Sequence, residues 1–208
     1  MKLVDMTIKN YLDVLGSDAP APGGGSVSAL SAAQGAALTA MVCDLTIPKE
    51  KYAQHRELCE EVKGESLKVY EKLVEGIDKD TEAFNKVSAA FKLPKENDQQ
   101  KAERSRAIQE ATVTATEVPY ETMELCMKGL AETARIVGKS NPNASSDLGV
   151  AALNYAAGIR GAYLNVMINL PGIKDQAVKE RFGKAEDMVR EAEKLAEEIY
   201  GEVLSSLL

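Results

Sequence analysis

One aspartate interrupts an apolar stripe in the middle of the chain. The residues that recur there at helical spacings of three and four are Val69, Leu73, Gly76 or Ile77, Asp80, Ala83 or Phe84, Val87 and Phe91. Asp78 lies about 200° around the same helix and falls with Glu71, Glu75 and Glu82 on a polar face. Only Asp80 is therefore expected to point inward.

An inward carboxylate of this kind can transfer protons. Desolvation disfavours the charged form and moves the pKa upward, so the group can accept and donate protons nearer neutral pH. The alternative is a structural aspartate that is hydrogen-bonded to a neighbouring helix. Both interpretations stay open on the pattern, and Asp80 is the candidate catalytic residue.

A seam of polar residues follows the fifth predicted helix, which is otherwise apolar. Its members project within about 60° of one another, and they are Asp147, Asn154, Gly158, Asn165 and Asn169. Buried amides need hydrogen-bond partners, so the seam either bonds to other helices or faces a cleft that holds a ligand rich in donors and acceptors. Asp147 is alternatively a helix N-cap, together with Ser145 and Ser146. The candidate binding residues are Asp147, Asn154, Asn165 and Asn169.

A glycine-rich turn, Gly23-Gly24-Gly25-Ser26, precedes a helix of small residues. Glycines allow close approach of backbone to a ligand, and free N–H groups at a helix start attract carboxylate or carbonyl oxygen. No Gly-Lys-Ser/Thr follows, so this is not a Walker loop. A flexible turn with Ser26 as N-cap explains the motif equally well.

Composition excludes several kinds of chemistry. His55 is the only histidine and the three cysteines are widely spaced, so zinc hydrolysis and a Ser-His-Asp mechanism are disfavoured and no metal site is expected. Odd, scattered cysteines favour a reducing compartment. The net charge of −7 and the absence of a basic run argue against nucleic-acid or anionic-membrane partners. We find no signal region and no apolar run of membrane-spanning length, and expect a cytoplasmic protein.

The chain is expected to be an all-α helical bundle in one domain, residues 1–208. Turn signals divide it into about six helices, at residues 5–15, 26–45, 49–91, 98–139, 145–170 and 174–206. Residues 27–43 and 148–170 are nearly all small or apolar, which predicts two buried central helices, whereas 174–200 is amphipathic. Pro119 should kink the fourth helix or leave a carbonyl free. The remaining apolar surface suggests a homodimer.

Three stretches stand out together, in this order. They are Ala21 to Ser26 with the following alanine-rich helix, Asp80-Thr81-Glu82-Ala83-Phe84 leading to Leu93-Pro94-Lys95, and Ser146-Asp147 through Gly161 to Leu170. Together they resemble the formiminotransferase-cyclodeaminase family. The resemblance implies a helical-bundle dimer that acts on tetrahydrofolate, with no further cofactor. It also implies that Asp80 is the proton acceptor. By position, Asn165 and Asn169 would hold the pterin, with residues 23–26 against the folate.

The resemblance leaves two activities open. One is methenyltetrahydrofolate cyclohydrolase, which adds water to give 10-formyltetrahydrofolate. The other is formimidoyltetrahydrofolate cyclodeaminase, which releases ammonia as the methenyl bridge closes. The chain's length, without a formimino-transferring domain, favours the cyclohydrolase. A hypothesis of another class is a non-catalytic helical scaffold, in which the small residues and the asparagine seam serve packing alone.

Overall fold

The computed structural model describes residues 2–208, which form a bundle of α-helices without strands. The helices are α1 (Ile8–Leu15), α2 (Gly24–Asp44), α3 (Arg56–Phe91), α4 (Asp98–Ile136), α5 (Ser145–Asn169), α6 (Gln176–Gly183) and α7 (Ala185–Leu207). The all-α prediction is confirmed. The last predicted helix is divided at Lys184, just after Gly183, where the chain makes a turn instead of continuing α6. A glycine disfavours helix continuation at such a point.

Helices α2 and α5 pack against each other at the centre, as predicted. Their contact is too close for larger side chains: a Cβ on Gly158 would lie 2.9 Å from the Cβ of Ala32, and one on Gly35 would lie 3.0 Å from the ring of Tyr155. The alanines on the two helices are mostly buried. Small residues thus let the two backbones approach, and the longer helices enclose the pair.

Helices α3 and α4 form a long antiparallel hairpin that packs against α2 and α5, and α7 covers α4 and α5 from outside. The stripe predicted on α3 is buried only as far as Ala83. Beyond it, Phe84 and Phe91 are 42% and 55% exposed, contrary to expectation. Helix α2 begins beside Asp80. The last turns of α3 therefore extend beyond the N-terminus of α2, and α2 does not cover them.

Helix α2 corrects one expectation about apolar runs. Its 21 residues are long and apolar enough to span a membrane by length and composition, with a mean hydropathy of 1.3 over its most apolar stretch, so the statement that no such run exists was wrong. Of that stretch, 61% is buried inside the bundle. The apolar character therefore matches the surroundings of a core helix.

Candidate functional site

A cavity of about 330 Å³ brings most of the candidate residues together. It opens where the start of α2, the second half of α3, the middle of α4 and the end of α5 meet. Its lining consists of Pro20, Ala21, Gly23, Gly24, Gly25, Asp80, Phe84, Val87, Ala115, Asn165, Ile168 and Asn169. Three motifs that are far apart in sequence thus line one cavity.

The Asp80 carboxylate is anchored to the start of α2 through one of its oxygens. The backbone N–H of Ser26 donates to Oδ2 at 2.9 Å, and the Ser26 hydroxyl lies 3.1 Å from the same atom. That hydroxyl also lies 2.8 Å from the carbonyl of Ile77, so its single proton is shared between two acceptors. Within residues 2–208, Oδ1 of Asp80 receives no hydrogen bond, and it remains available to a ligand.

Burial sets the protonation behaviour of this group. Desolvation raises the pKa of Asp80, and the hydrogen bonds from the Ser26 hydroxyl and backbone N–H offset part of that rise. The carboxyl group is therefore held in place and titrates above its ordinary range. Both features suit a group that takes up and returns a proton.

Gly25 is required by the position of this carboxylate. A Cβ at residue 25 would lie 2.0 Å from Oδ1 of Asp80, which is far inside van der Waals contact. Helix α2 begins at Gly24 with Gly23 as its N-cap, so Ser26 is inside the first turn and the alternative that Ser26 caps the helix is wrong. The positive end of the helix dipole thus faces the acid.

Asn165 and Asn169 line the opposite part of the cavity from the last turns of α5. The Nδ2 group of Asn165 donates to the carbonyl of Gly161 at 2.8 Å, and that of Asn169 donates to the carbonyl of Ala115 at 3.2 Å. One N–H of each amide NH₂ group is thereby engaged with the protein. The amide oxygens have no donor among the described residues, so they are the groups that can accept from a ligand.

Asp147 and Asn154 do not line this cavity. Asn154 donates instead to the carbonyl of Val150 at 2.9 Å, one turn back in its own helix. Projection down the helix axis placed these residues on the same face as Asn165, but it ignored their distance from Asn165 along the axis. At a rise of 1.5 Å per residue, Asn154 is about 16 Å and Asp147 about 27 Å from Asn165 along α5. Of the polar side chains in the predicted seam, only Asn165 and Asn169 therefore line this cavity.

Tyr11 is a residue near the site that the sequence did not indicate. It is 7% exposed, whereas its helical neighbours Ile8 and Leu12 are largely exposed, and its buried hydroxyl has no hydrogen-bond partner among the described residues. Burial raises the pKa of the Tyr11 phenol, and the negative charge of Asp80 raises it further. A single tyrosine in a short amphipathic helix gave no signal of this proximity.

The described part of the chain shows no group of three or more His, Cys, Asp or Glu side chains placed to hold a metal ion. The three cysteines are buried and unpaired. Burial raises the pKa of the Cys43 thiol to about 12, with nearby Cys59 as a smaller cause. These thiols are therefore poor nucleophiles at neutral pH.

Comparison with known proteins agrees with this geometry. The family described as formiminotransferase-cyclodeaminase matches residues 7–187. The chain belongs to this family. It is 43% identical over 202 residues to a methenyltetrahydrofolate cyclohydrolase of Methylorubrum extorquens, a match that covers 97% of each chain. The family assignment agrees with the resemblance carried by the three sequence motifs.

The similarity extends to a longer member of the formiminotransferase-cyclodeaminase family and to a solved structure. The chain is 34% identical over 178 residues to a formimidoyltransferase-cyclodeaminase of Gallus gallus, but it spans only 33% of that protein. The crystal structure of a formiminotetrahydrofolate cyclodeaminase from Thermotoga maritima matches over 98% of this chain and 96% of its own, with a TM-score of 0.80 and 27% identity. The helical fold is thus shared with the Thermotoga protein.

Proposed function

We propose that this chain is a methenyltetrahydrofolate cyclohydrolase, converting 5,10-methenyltetrahydrofolate and water to 10-formyltetrahydrofolate with Asp80 as general base. The observation that carries the proposal is the desolvated Asp80 carboxylate on the cavity wall, held by Ser26 through one oxygen and open to a ligand through the other. The full-length similarity to the Methylorubrum enzyme supports this activity over the alternatives.

The chemistry requires one positioned acid-base group. Asp80 accepts a proton from water as the water oxygen attacks the methenyl carbon, giving a tetrahedral carbon between the 5- and 10-nitrogens. The hydroxyl on that carbon then loses its proton as a carbonyl forms, and the bond to the 5-nitrogen breaks. The 5-nitrogen is protonated, which leaves the formyl group on the 10-nitrogen. Overall, one proton is released for each cationic methenyl group that is hydrolysed.

Asp80 also favours the substrate electrostatically, because a carboxylate in a poorly solvated cavity stabilises a nearby cation more than it would in water. The oxygens of Asn165 and Asn169 accept from N–H groups of the pterin. Gly24 and Gly25, in the first turn of α2, also line the cavity, and their backbone N–H groups, which have no acceptor within the helix, offer donors for ligand oxygens.

The second candidate is formimidoyltetrahydrofolate cyclodeaminase. The structural match to the Thermotoga protein, which carries that activity in its name, favours it. This reaction starts from the protonated formimino group, –CH=NH2+. Asp80 would take the proton from the 10-nitrogen as that nitrogen attacks the formimino carbon, and would return it to the –NH2 group of the tetrahedral intermediate, which leaves as ammonia while the cationic methenyl bridge forms. The same cavity and acid serve both reactions.

A paired assay separates the two activities. One enzyme preparation is given 5,10-methenyltetrahydrofolate, with loss of methenyl absorbance recorded, and separately 5-formiminotetrahydrofolate, with ammonia measured. We expect faster turnover of the methenyl compound. Faster ammonia release would assign the cyclodeaminase instead. The scaffold hypothesis is tested by calorimetric titration with a reduced folate, and it survives only if no heat of binding appears.

We further propose a cytoplasmic homodimer that needs no cofactor beyond its folate substrate and binds neither nucleic acid nor membrane. The acidic composition and the free cysteines support the location and the absence of polyanionic partners. Exposed apolar side chains on one helix support self-association, notably Leu153, Leu164 and Ile168 on α5. Light scattering of the purified chain is expected to give twice the monomer mass; a monomer mass would contradict the dimer.

A further inference from the structure

Pro119 lies inside α4, where it is buried. In an α-helix each backbone N–H donates to the carbonyl four residues earlier, and proline has no N–H. The carbonyl of Ala115 therefore lacks its helical partner. The sequence predicted either a kink or a free carbonyl at this point, and the structure shows where the free carbonyl is used.

Asn169 supplies the missing hydrogen bond from another helix. Its Nδ2 group donates to the Ala115 carbonyl at 3.2 Å, across the cavity wall between α4 and α5. A carbonyl oxygen only accepts hydrogen bonds, so the amide must turn its NH₂ end toward Ala115. The amide oxygen is then directed away from α4. Because Asn169 lines the cavity, that oxygen is the end presented to a ligand.

Asn165, one turn earlier, is oriented in the same sense. Its NH₂ group is held by the Gly161 carbonyl at 2.8 Å, and its oxygen is left without a protein donor within residues 2–208. With Oδ1 of Asp80, three acceptor oxygens that have no donor among the described residues belong to side chains that line the cavity. A ligand matches this pattern when it presents hydrogen-bond donors to it, such as ring N–H and exocyclic amino groups.

We infer that Pro119 is a positioning residue. Because Pro119 leaves the Ala115 carbonyl free, that carbonyl holds the NH₂ end of the Asn169 amide. The amide oxygen then faces the cavity and accepts hydrogen bonds from donors on the heterocycle of the ligand. The inference rests on the proposed function in that the heterocycle is a pterin. If the Ala115 carbonyl were not free, the Asn169 amide could rotate and turn its NH₂ group toward the ligand. A donor on the ligand would then face another donor, and both would lack a hydrogen bond.

The test restores the missing backbone N–H. Pro119→Ala and Pro119→Val both do so, with side chains smaller and larger than proline, so a shared effect follows from the N–H rather than from volume. For 5,10-methenyltetrahydrofolate, we expect KM to rise about fivefold to tenfold, as for the loss of one hydrogen bond. The kcat should stay within about twofold of the wild-type value, since Asp80 is untouched.

The control places the same changes in an Asn169→Ala background. There KM is already raised, and Pro119→Ala should raise it no further because the amide that it acts on is gone. An equal rise in KM in both backgrounds would overturn the inference, as would unchanged KM in both Pro119 variants of the otherwise wild-type chain.

A measurement without substrate distinguishes this inference from the proposed function. Thermal unfolding of the wild type, Pro119→Ala, Asn169→Ala and the double variant measures how much the bond between Asn169 and Ala115 contributes to the Tm. Asn169→Ala should lower the Tm in the wild type and lower it less in the Pro119→Ala background, whether or not the protein turns over folate. Equal losses of Tm contradict the inference even if the folate activity is established.

Discussion

Gly25→Ala is expected to abolish most activity without unfolding the protein. The new Cβ would lie 2.0 Å from Oδ1 of Asp80, whereas ordinary contact begins near 3.4 Å, so this oxygen must retreat by about 1.4 Å, the difference between the two distances. That movement also disturbs the 2.9 Å bond from the Ser26 N–H. Displacement of a catalytic group by about 1 Å can cost about 100-fold in rate, and we expect a loss of this order in kcat.

The loss of stability should be limited to the displaced carboxylate and its bond to Ser26, about 1–3 kcal/mol, because the backbone of Gly25 does not adopt a conformation that alanine avoids. Alanine is also a better helix former than glycine, by up to about 1 kcal/mol. The obstacle is the Asp80 carboxyl group rather than a backbone atom, and the whole group must move, because its Cγ and Oδ2 would lie 2.4 Å and 2.7 Å from the new Cβ. The assay is kcat for 5,10-methenyltetrahydrofolate, beside thermal unfolding of the same preparation.

Gly24→Ala is the matched control. It makes the same change one residue earlier in α2, but its Cβ would lie 3.4 Å from the Asn165 side chain, an ordinary contact. We expect kcat within about threefold of wild type, as fits an undisturbed Asp80. If Gly25→Ala is as active as Gly24→Ala, the position of the Asp80 carboxylate does not limit the reaction and the reasoning is refuted.

Two further predictions concern protonation and the limits of the site. Burial holds the pKa of Asp80 higher in the folded than in the unfolded chain. Its contribution to the free energy of unfolding is therefore full below the unfolded-state pKa and is lost as pH rises through the folded-state pKa. When urea unfolding is measured at several pH values, the free energy of unfolding should decline less steeply with rising pH for Asp80→Asn than for wild type. Parallel curves would contradict the raised pKa of Asp80. Asp147→Asn and Asn154→Ala should leave kcat and KM within about twofold, while Asn165→Ala raises KM; a large effect at residue 154 would extend the site along α5.

The fold class and the inward position of Asp80 could be predicted from the sequence, because both depend on helical periodicity. Segments made almost entirely of small or apolar residues predicted the two buried helices, and the break in the apolar stripe at Asp80 predicted an inward carboxylate. These features repeat every turn within one helix, so a single sequence reveals them. The limits of the stripe were not visible, since exposure of Phe84 depends on where a different helix begins.

Relations between helices could not be predicted in the same way. The Asn169 bond to Ala115 joins residues 54 positions apart, and the contact between Gly25 and Asp80 depends on the packing of α2 against α3. Angular projection also placed Asn154 with Asn165 because it discards distance along the axis. Pro119 was recognised as a helix irregularity, but its partner became evident only from the packed bundle.

The most direct measurement is turnover by Asp80→Asn. Asparagine keeps the size of the side chain, and its amide oxygen can still accept from the Ser26 N–H, but it cannot take a proton from water. A general base contributes about 100-fold to 10,000-fold. With the Tm retained, kcat for loss of 5,10-methenyltetrahydrofolate absorbance should fall by a factor in that range. Near wild-type kcat in the folded variant would contradict the role of Asp80 as the proton acceptor.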